Sequence, residues 1–267
     1  MKKSLLPLAA RFFSAPILRA IPQKMESLGA ALQSKKGGGF DAEWQEVENA
    51  SHFIGLTNPI IFDVGANSGA WTKRIREKIG KSVGPPKIVM FEPQPKCWPS
   101  LEIIQDDSVS LVKAALGEIA GTIDLYQSDN SEVASVYERS DFELDNVIKV
   151  EVTTIDDIIS THRFAYVDYI KMDIEGHELS AARGARQSLQ QKRIGAISFE
   201  FGSANVNSRT FFLDLFKYFN SFGYVIYRMG HDGIPIHVPH YSRDLEYFAG
   251  VSNYIASCVN PKRTRQA

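Results

Sequence analysis

The chain has 267 residues, 44% of them hydrophobic, and 30 Lys and Arg against 31 Asp and Glu give a formal net charge of −1. That length suits one large α/β domain plus an extension, and the balanced charge counts against a duplex-binding protein. No apolar run reaches the roughly 20 residues that span a bilayer, and the two cysteines, Cys97 and Cys258, form no metal-ligand pattern, so a reducing, cytoplasmic compartment is the default.

From Met1 to Met25 there is no acid; Lys2, Lys3, Arg11, Arg19 and Lys24 alternate with Leu5, Leu6, Leu8, Phe12, Phe13, Ile17, Leu18 and Ile21. One reading is a targeting or membrane-surface segment, with peripheral membrane contact. The other, preferred, is an extension, since Pro7, Pro16 and Pro22 interrupt a long helix and Arg11 breaks a secretory apolar stretch. Gly37-Gly38-Gly39 separates this extension, 1–39, from a domain over 40–259, and 260–267 reads as a polar tail.

Asp41 is placed to cap a helix carrying Trp44, Val47 and Ile54 and ending near Gly55. Pro59 leads into a buried strand, Ile60 to Val64, and the glycine loop Gly65-Ala66-Asn67-Ser68-Gly69 opens a helix with Trp71, Ile75 and Ile79 that Gly80 stops. Ile88 to Phe91 and Val109 to Val112 are the next strands, the latter running on to Ala114-Ala115-Leu116-Gly117. Thr122 to Tyr126 and Val147 to Thr153 alternate as half-exposed strands do, around a polar stretch from Ser128 to Asn146. After a short helix at Ile155 to Ile159, the buried strand Val167 to Met172 ends in Asp173-Ile174-Glu175-Gly176. A helix with Leu179, Ala182 and Leu189 follows, then a strand from Ile194 to Phe199 ending in Glu200. Phe212, Leu215, Phe216 and Phe219 make a helical stripe ended by Gly223; Tyr224 to Tyr227 and Tyr247 to Val251 close the sheet around a turn at His231-Asp232-Gly233.

Alternation of this kind gives an α/β fold, a mostly parallel sheet with helices on both faces. Ligands of such sheets sit at the carboxyl ends of the strands. Asp63, Glu92, Asp173 and Glu200 all fall there.

The loop spacing is Asp63-x-Gly65-x-x-x-Gly69, with Asn67 where a dinucleotide loop has its second glycine. An acid ahead of the turn also opposes a pyrophosphate. A cationic ligand reverses that sign, and S-adenosylmethionine carries a sulfonium and an ammonium. Asp63 suits that charge directly or through the loop backbone, Gly65 permits close approach, and Glu92 is an acceptor-only carboxylate for the ribose hydroxyls. The cofactor residues expected are Asp63, Gly65, Ala66, Asn67, Gly69, Glu92 and, beside the adenine, Ala115.

Asp63 to Gly69, Phe91-Glu92-Pro93, Ala115-Leu116-Gly117, Thr154-Ile155-Asp156-Asp157 and Ile170 to Glu178 together resemble the FkbM-type family of S-adenosylmethionine-dependent methyltransferases. Gly184-Ala185 and Ser198-Phe199-Glu200 fit as well. The match runs from about Ile60 to Glu200. It implies a Rossmann-like class I methyltransferase fold, with a mostly parallel seven-stranded sheet between two helix layers, and, commonly, O-methylation of hydroxyls on sugars, glycolipids or polyketide-type products.

An aliphatic hydroxyl needs a base as it is methylated. Asp173 is the first candidate and Glu175 the second. For Glu178 a helix-dipole role is preferred, for His177 a surface position, for Trp71 and the phenylalanine stripe a place in the core. Ser131, Ser135 and Tyr137 are candidates for contact with a polyol. Asp173, Glu175 and Glu200 offer oxygens to a divalent cation, an idea not favoured. The acceptor expected is a small molecule or glycan rather than nucleic acid. Ribose O-methylation of RNA and a non-catalytic cofactor-binding module stay open as alternatives.

Overall fold

The structure is a computed structural model, and it describes residues 42–55, 57–83, 85–128, 130–139, 146–230, 232–246, 251–262 and 265–266. The readings made for the chain before residue 42, for His231 and for the Tyr247 start of the last strand lie outside these residues. In chain order the elements are α1 (Ala42–Ser51), β1 (Ile60–Val64), α2 (Ala70–Val83), β2 (Lys87–Phe91), α3 (Trp98–Glu102), β3 (Val109–Val112), β4 (Ala115–Leu116), β5 (Gly121–Gln127) and β6 (Asn146–Thr153). Then come α4 (Ile155–Thr161), β7 (Val167–Met172), α5 (Glu178–Arg183), α6 (Arg186–Gln190), β8 (Ile194–Gly202), α7 (Ala204–Ser208), α8 (Phe212–Ser221), β9 (Val225–Arg228), β10 (Ile236–Val238), β11 (Val251–Ser257) and β12 (Arg265–Gln266).

The strands of the main sheet lie in the order β12-β10-β9-β11-β8-β7-β1-β2-β3. From β3 to β8 every pairing is parallel, while β11 runs antiparallel between β8 and β9. The central strands β1, β2 and β7 are buried on both faces, as parallel strands between two helix layers must be. On one face α1, α2 and α3 bury Val47, Ala50, Trp71, Ile75, Ile79 and Leu101 against Ile61, Ile88, Met90 and Tyr169. On the other α4, α5, α6 and α8 cover Phe62, Val64, Ile170, Met172, Ile197 and Phe199. Trp71 stacks on Tyr169 in the first layer, and Phe212 and Phe219 lie in the second, so the aromatic stripe is packing.

The structure departs from the sequence reading in several places, among them the closing strand, which runs over Val251–Ser257 instead of ending at Val251. The seven expected strands are extended by β10 and β12, whose three and two residues are too short to announce themselves. The alternating segments β5 and β6 pair with each other and with β4 in a separate three-stranded sheet, which suits strands with one wet face. Helix α2 runs through Gly80 to Val83, because a glycine with nothing within 4 Å of its missing Cβ costs a helix only about 1 kcal/mol. The single helix expected after β7 breaks into α5 and α6. At the break a Cβ on Gly184 would stand 2.1 Å from the Gly117 carbonyl oxygen. The new helix start at Gln187 and Ser188 is held by the Asp156 carboxylate, at 2.8 and 2.9 Å. Among the described residues no helix is long and apolar enough to cross a membrane.

Candidate active site

The loop after β1 is a tight turn at the carboxyl edge of the sheet. Gly65 N and Ala66 N both donate to Phe91 O, at 3.0 and 3.1 Å, and Gly69 N donates to Ala66 O at 2.7 Å. Gly65 (φ 78°) and Gly69 (φ 74°) are left-handed, and so is Asn67 (φ 47°). Asparagine is among the few other residues that tolerate this region, which is why it stands where a dinucleotide loop has glycine. Asn67 N donates to Glu92 Oε2 at 2.8 Å, and Gln94 N donates to Glu92 Oε1 at 2.9 Å. Burial pushes the Glu92 carboxyl above its usual range, against the pull of the Gln94 and Asn67 amides.

Asp63 lies beneath the loop, fully buried. Thr72 Oγ1 donates to its Oδ2 at 2.6 Å, and Lys171 Nζ stands 3.5 Å from its Oδ1. The same ammonium is 3.3 Å from Asp173 Oδ2 and donates to Gly65 O at 3.4 Å. The charge that meets Asp63 is therefore the protein's own, and Asp63 reaches the glycine loop through Lys171. Burial raises the Asp63 carboxyl, with Lys171 and Thr72 opposing. Burial alone would lower the Lys171 ammonium; Asp173 and Asp63 outweigh it and hold Lys171 charged. A buried pair of this kind is costly to break, because the remaining charge has no water to turn to.

Asp173 follows β7, its amide donating to Val64 O at 3.1 Å and its side chain 41% exposed. Glu175 has a left-handed backbone (φ 51°), and its carboxylate pairs with the buried guanidinium of Arg139, which also donates to Ser203 Oγ at 3.3 Å. Glu178 accepts from Ile174 N and Gly176 N, at 3.2 and 3.3 Å, and so ties down the turn between β7 and α5; burial pushes its carboxyl up to about 7. His177 is not at the surface as expected. Its ring is buried, Nδ1 is 3.1 Å from the Tyr137 hydroxyl, and burial pushes its pKa down to about 4, so it is neutral at physiological pH.

The polar stretch after β5 is drawn over this edge. Ser131 Oγ donates to Asn67 Oδ1 (2.9 Å), Gln94 Nε2 to Ser131 O (3.0 Å) and Ser135 Oγ to Glu175 O (2.8 Å). Ser131, Ser135 and Tyr137 thus stand at the same edge as Asp63, Gly65, Ala66, Asn67, Gly69, Glu92, Asp173 and Glu175. Ala115 stands apart from them: its methyl packs with Leu125 and Val150 in the small sheet. The residues that sequence reasoning missed are Lys171, Arg139 and Thr72. Lys171 carried a signal, a lone cation inside the buried run Val167 to Met172 between two strand-end acids. Arg139 had none, lying in a polar loop. Among the described residues no group of three or more His, Cys, Asp or Glu side chains is placed to hold a metal ion.

A family model described as the methyltransferase FkbM domain matches residues 63–226. The 2-O-methyltransferase NoeI of Sinorhizobium fredii (strain NBRC 101917 / NGR234) is 25% identical over 154 residues, 51% of this chain and 61% of that protein. The methyltransferase sdnD of Sordaria araneosa is 27% identical over 161 residues, 48% of this chain and 61% of that protein. The chain thus spans 61% of the length of each of these curated relatives. Among solved structures, a methyltransferase FkbM from Methylobacillus flagellatus KT aligns with a TM-score of 0.48 at 20% identity, over 91% of this chain and 60% of that one.

Proposed function

We propose, because the chain belongs to the FkbM methyltransferase family, that it methylates a hydroxyl oxygen of a sugar, a glycolipid or a related natural product, with S-adenosylmethionine as donor. The observation that carries this reading is the junction of the two loops: the glycine loop with its ribose-suited carboxylate abuts a half-exposed acid. The similarity to a protein named a 2-O-methyltransferase supports oxygen as the atom modified.

The residues present suit the donor. Glu92 is an acceptor-only carboxylate fixed against the glycine loop, and Gln94 Oε1, buried beside it, accepts no hydrogen bond. Ribose hydroxyls or an adenine amino group would satisfy both. The surrounding carboxylates favour a ligand with cationic groups. When bound, S-adenosylmethionine supplies a methyl group made electrophilic by its sulfonium. Asp173 then accepts the proton of the acceptor hydroxyl, worth about 10²–10⁴ in rate for a well-placed base. Lys171 holds that carboxylate in place. Glu175, engaged with Arg139, anchors the loop that carries Ser135 and Tyr137, and the acceptor lies against that loop.

The test is transfer of labelled methyl from S-adenosylmethionine to a panel of glycans, lipid extracts and RNA. Label in an alkali-stable methyl ether on a glycan or lipid supports the reading; label confined to RNA, nitrogen or carboxyl groups contradicts it.

A further inference from the structure

Ser131 closes a ring of hydrogen bonds that begins at Glu92. The Asn67 and Gln94 amides hold the two oxygens of that carboxylate, at 2.8 and 2.9 Å. Gln94 Nε2 donates to Ser131 O at 3.0 Å, and Ser131 Oγ donates to Asn67 Oδ1 at 2.9 Å. Segments distant in sequence meet here: the glycine loop, the turn after β2 and the 3₁₀ turn Ser131–Val133 that follows β5. The ring fixes which way round the Gln94 carboxamide stands. Turned over, its oxygen would face the Ser131 carbonyl, acceptor against acceptor. Nε2 therefore stays on Ser131, and Oε1, on a side chain 5% exposed, receives no hydrogen from any described residue. A buried acceptor without a partner is costly, and a ligand that brings a hydrogen removes the cost. Asn67 is fixed in a similar manner, because Cys97 Sγ at 3.7 Å is a second donor converging on Oδ1.

We propose that Ser131 is a positioning residue of the donor site: it touches no donor atom itself, and it holds Gln94 so that Oε1 meets a ribose hydroxyl or the adenine amino group. This rests on the reading of S-adenosylmethionine as the donor. It moves Ser131 from the acceptor side, where the sequence suggested contact with a polyol, to the donor side.

The two ends of the 130–139 segment have separate footings. Ser131 reaches Asn67 and Gln94 on a turn built locally, with Glu132 N donating to Asn130 Oδ1 at 3.1 Å and Val133 buried. Ser135 is held elsewhere: its amide donates to Tyr126 O of β5 at 3.0 Å, its carbonyl accepts from Tyr126 N at 2.8 Å, and its Oγ donates to Glu175 O. Arg139 is held by Glu175 and Ser203. Loss of the Ser131 hydroxyl therefore loosens the end at Glu92 and leaves the end at Glu175 in place.

Calorimetric titration of S-adenosylhomocysteine, the demethylated donor, into the full chain tests this without an acceptor. Ser131→Ala is expected to weaken binding about threefold to tenfold, and Ser131→Thr, which keeps the hydroxyl, to restore it to within about twofold. Gln94→Leu removes the acceptor atom and is expected to weaken binding about tenfold. Adding Ser131→Ala to Gln94→Leu is expected to cost less than about twofold more, because the hydroxyl then has no carboxamide to position. Amide hydrogen exchange in Ser131→Ala is expected to speed up over 130–133 and to stay at the parent's rate over 135–139. Parent affinity in Ser131→Ala overturns the proposal. So does a fully additive loss in the double variant, which would mean that Ser131 acts on the donor by another route. Faster exchange running through to 139 overturns it as well, because the hydroxyl would then be a pin for the whole segment. A parent chain that binds no S-adenosylhomocysteine removes the donor reading and this inference with it.

Discussion

A Cβ on Gly65 would stand 2.0 Å from the carbonyl oxygen of Asp173. The glycine loop and the turn that carries the proposed base therefore touch backbone to backbone. Lys171 repeats the link in side chains by contacting Gly65 O and Asp173 together.

Gly65→Ala is predicted to fail twice, through the clash and through its φ of 78°. The expected loss is about 2 kcal/mol or more in thermal or urea unfolding, together with donor binding. Gly80→Ala is the control: it lies in helix α2 with open space around it, and is expected to stabilise by about 0.5–1 kcal/mol.

Lys171→Met leaves Asp63 buried without its counter-charge. Breaking such a pair costs about 3–5 kcal/mol, measurable by urea unfolding. Adding Asp63→Asn removes the stranded charge and keeps an acceptor for Thr72, so the double variant is expected to regain part of the loss.

Glu178 and His177 are adjacent and pull stability in opposite directions with pH. The Glu178 carboxyl is raised to about 7 in the fold, so its contribution is full below its unfolded pKa and is lost as pH rises through about 7. The His177 ring is lowered to about 4, so its contribution is present above its unfolded pKa and is lost as pH falls through about 4. Glu178→Gln keeps an acceptor for Ile174 N and Gly176 N and removes the first slope. Its stability relative to the parent is expected to climb from mildly acid to neutral pH, by up to about 3 kcal/mol. A flat difference would mean that Glu178 is not buried as described.

Asp173→Asn is predicted to lower kcat by about 10²–10⁴ with little change in donor affinity. Glu175→Gln weakens the hold on Arg139 and loosens the loop with Ser135 and Tyr137, so acceptor KM is expected to rise more than kcat falls. Steady-state kinetics with one acceptor separates the two roles.

Much of this was legible in the chain because strand ends and glycines leave local marks. The runs around Asp63, Glu92, Asp173 and Glu200 placed four acids at one edge, and Gly65 and Gly69 marked a turn. What escaped depended on partners distant in sequence. Nothing near His177 announces Tyr137, 40 residues away, whose hydroxyl it meets in a buried site. Nothing in the polar stretch singles out Arg139 as the counter-ion of Glu175. Ala115 was read from the end of the third strand, but the chain leaves the main sheet there, and Ala115 pairs with Val152 of β6. The motif Thr154 to Asp157 proved architectural: Thr154 caps α4 and Asp156 caps α6.

Calorimetric titration of S-adenosylmethionine into well-folded protein, beside the Glu92→Gln variant, tests the central claim most directly. The account predicts saturable binding to the parent, weakened at least about tenfold in the variant by the loss of acceptors for ribose. Absence of heat with the parent, or a nicotinamide dinucleotide binding in its place, would contradict it.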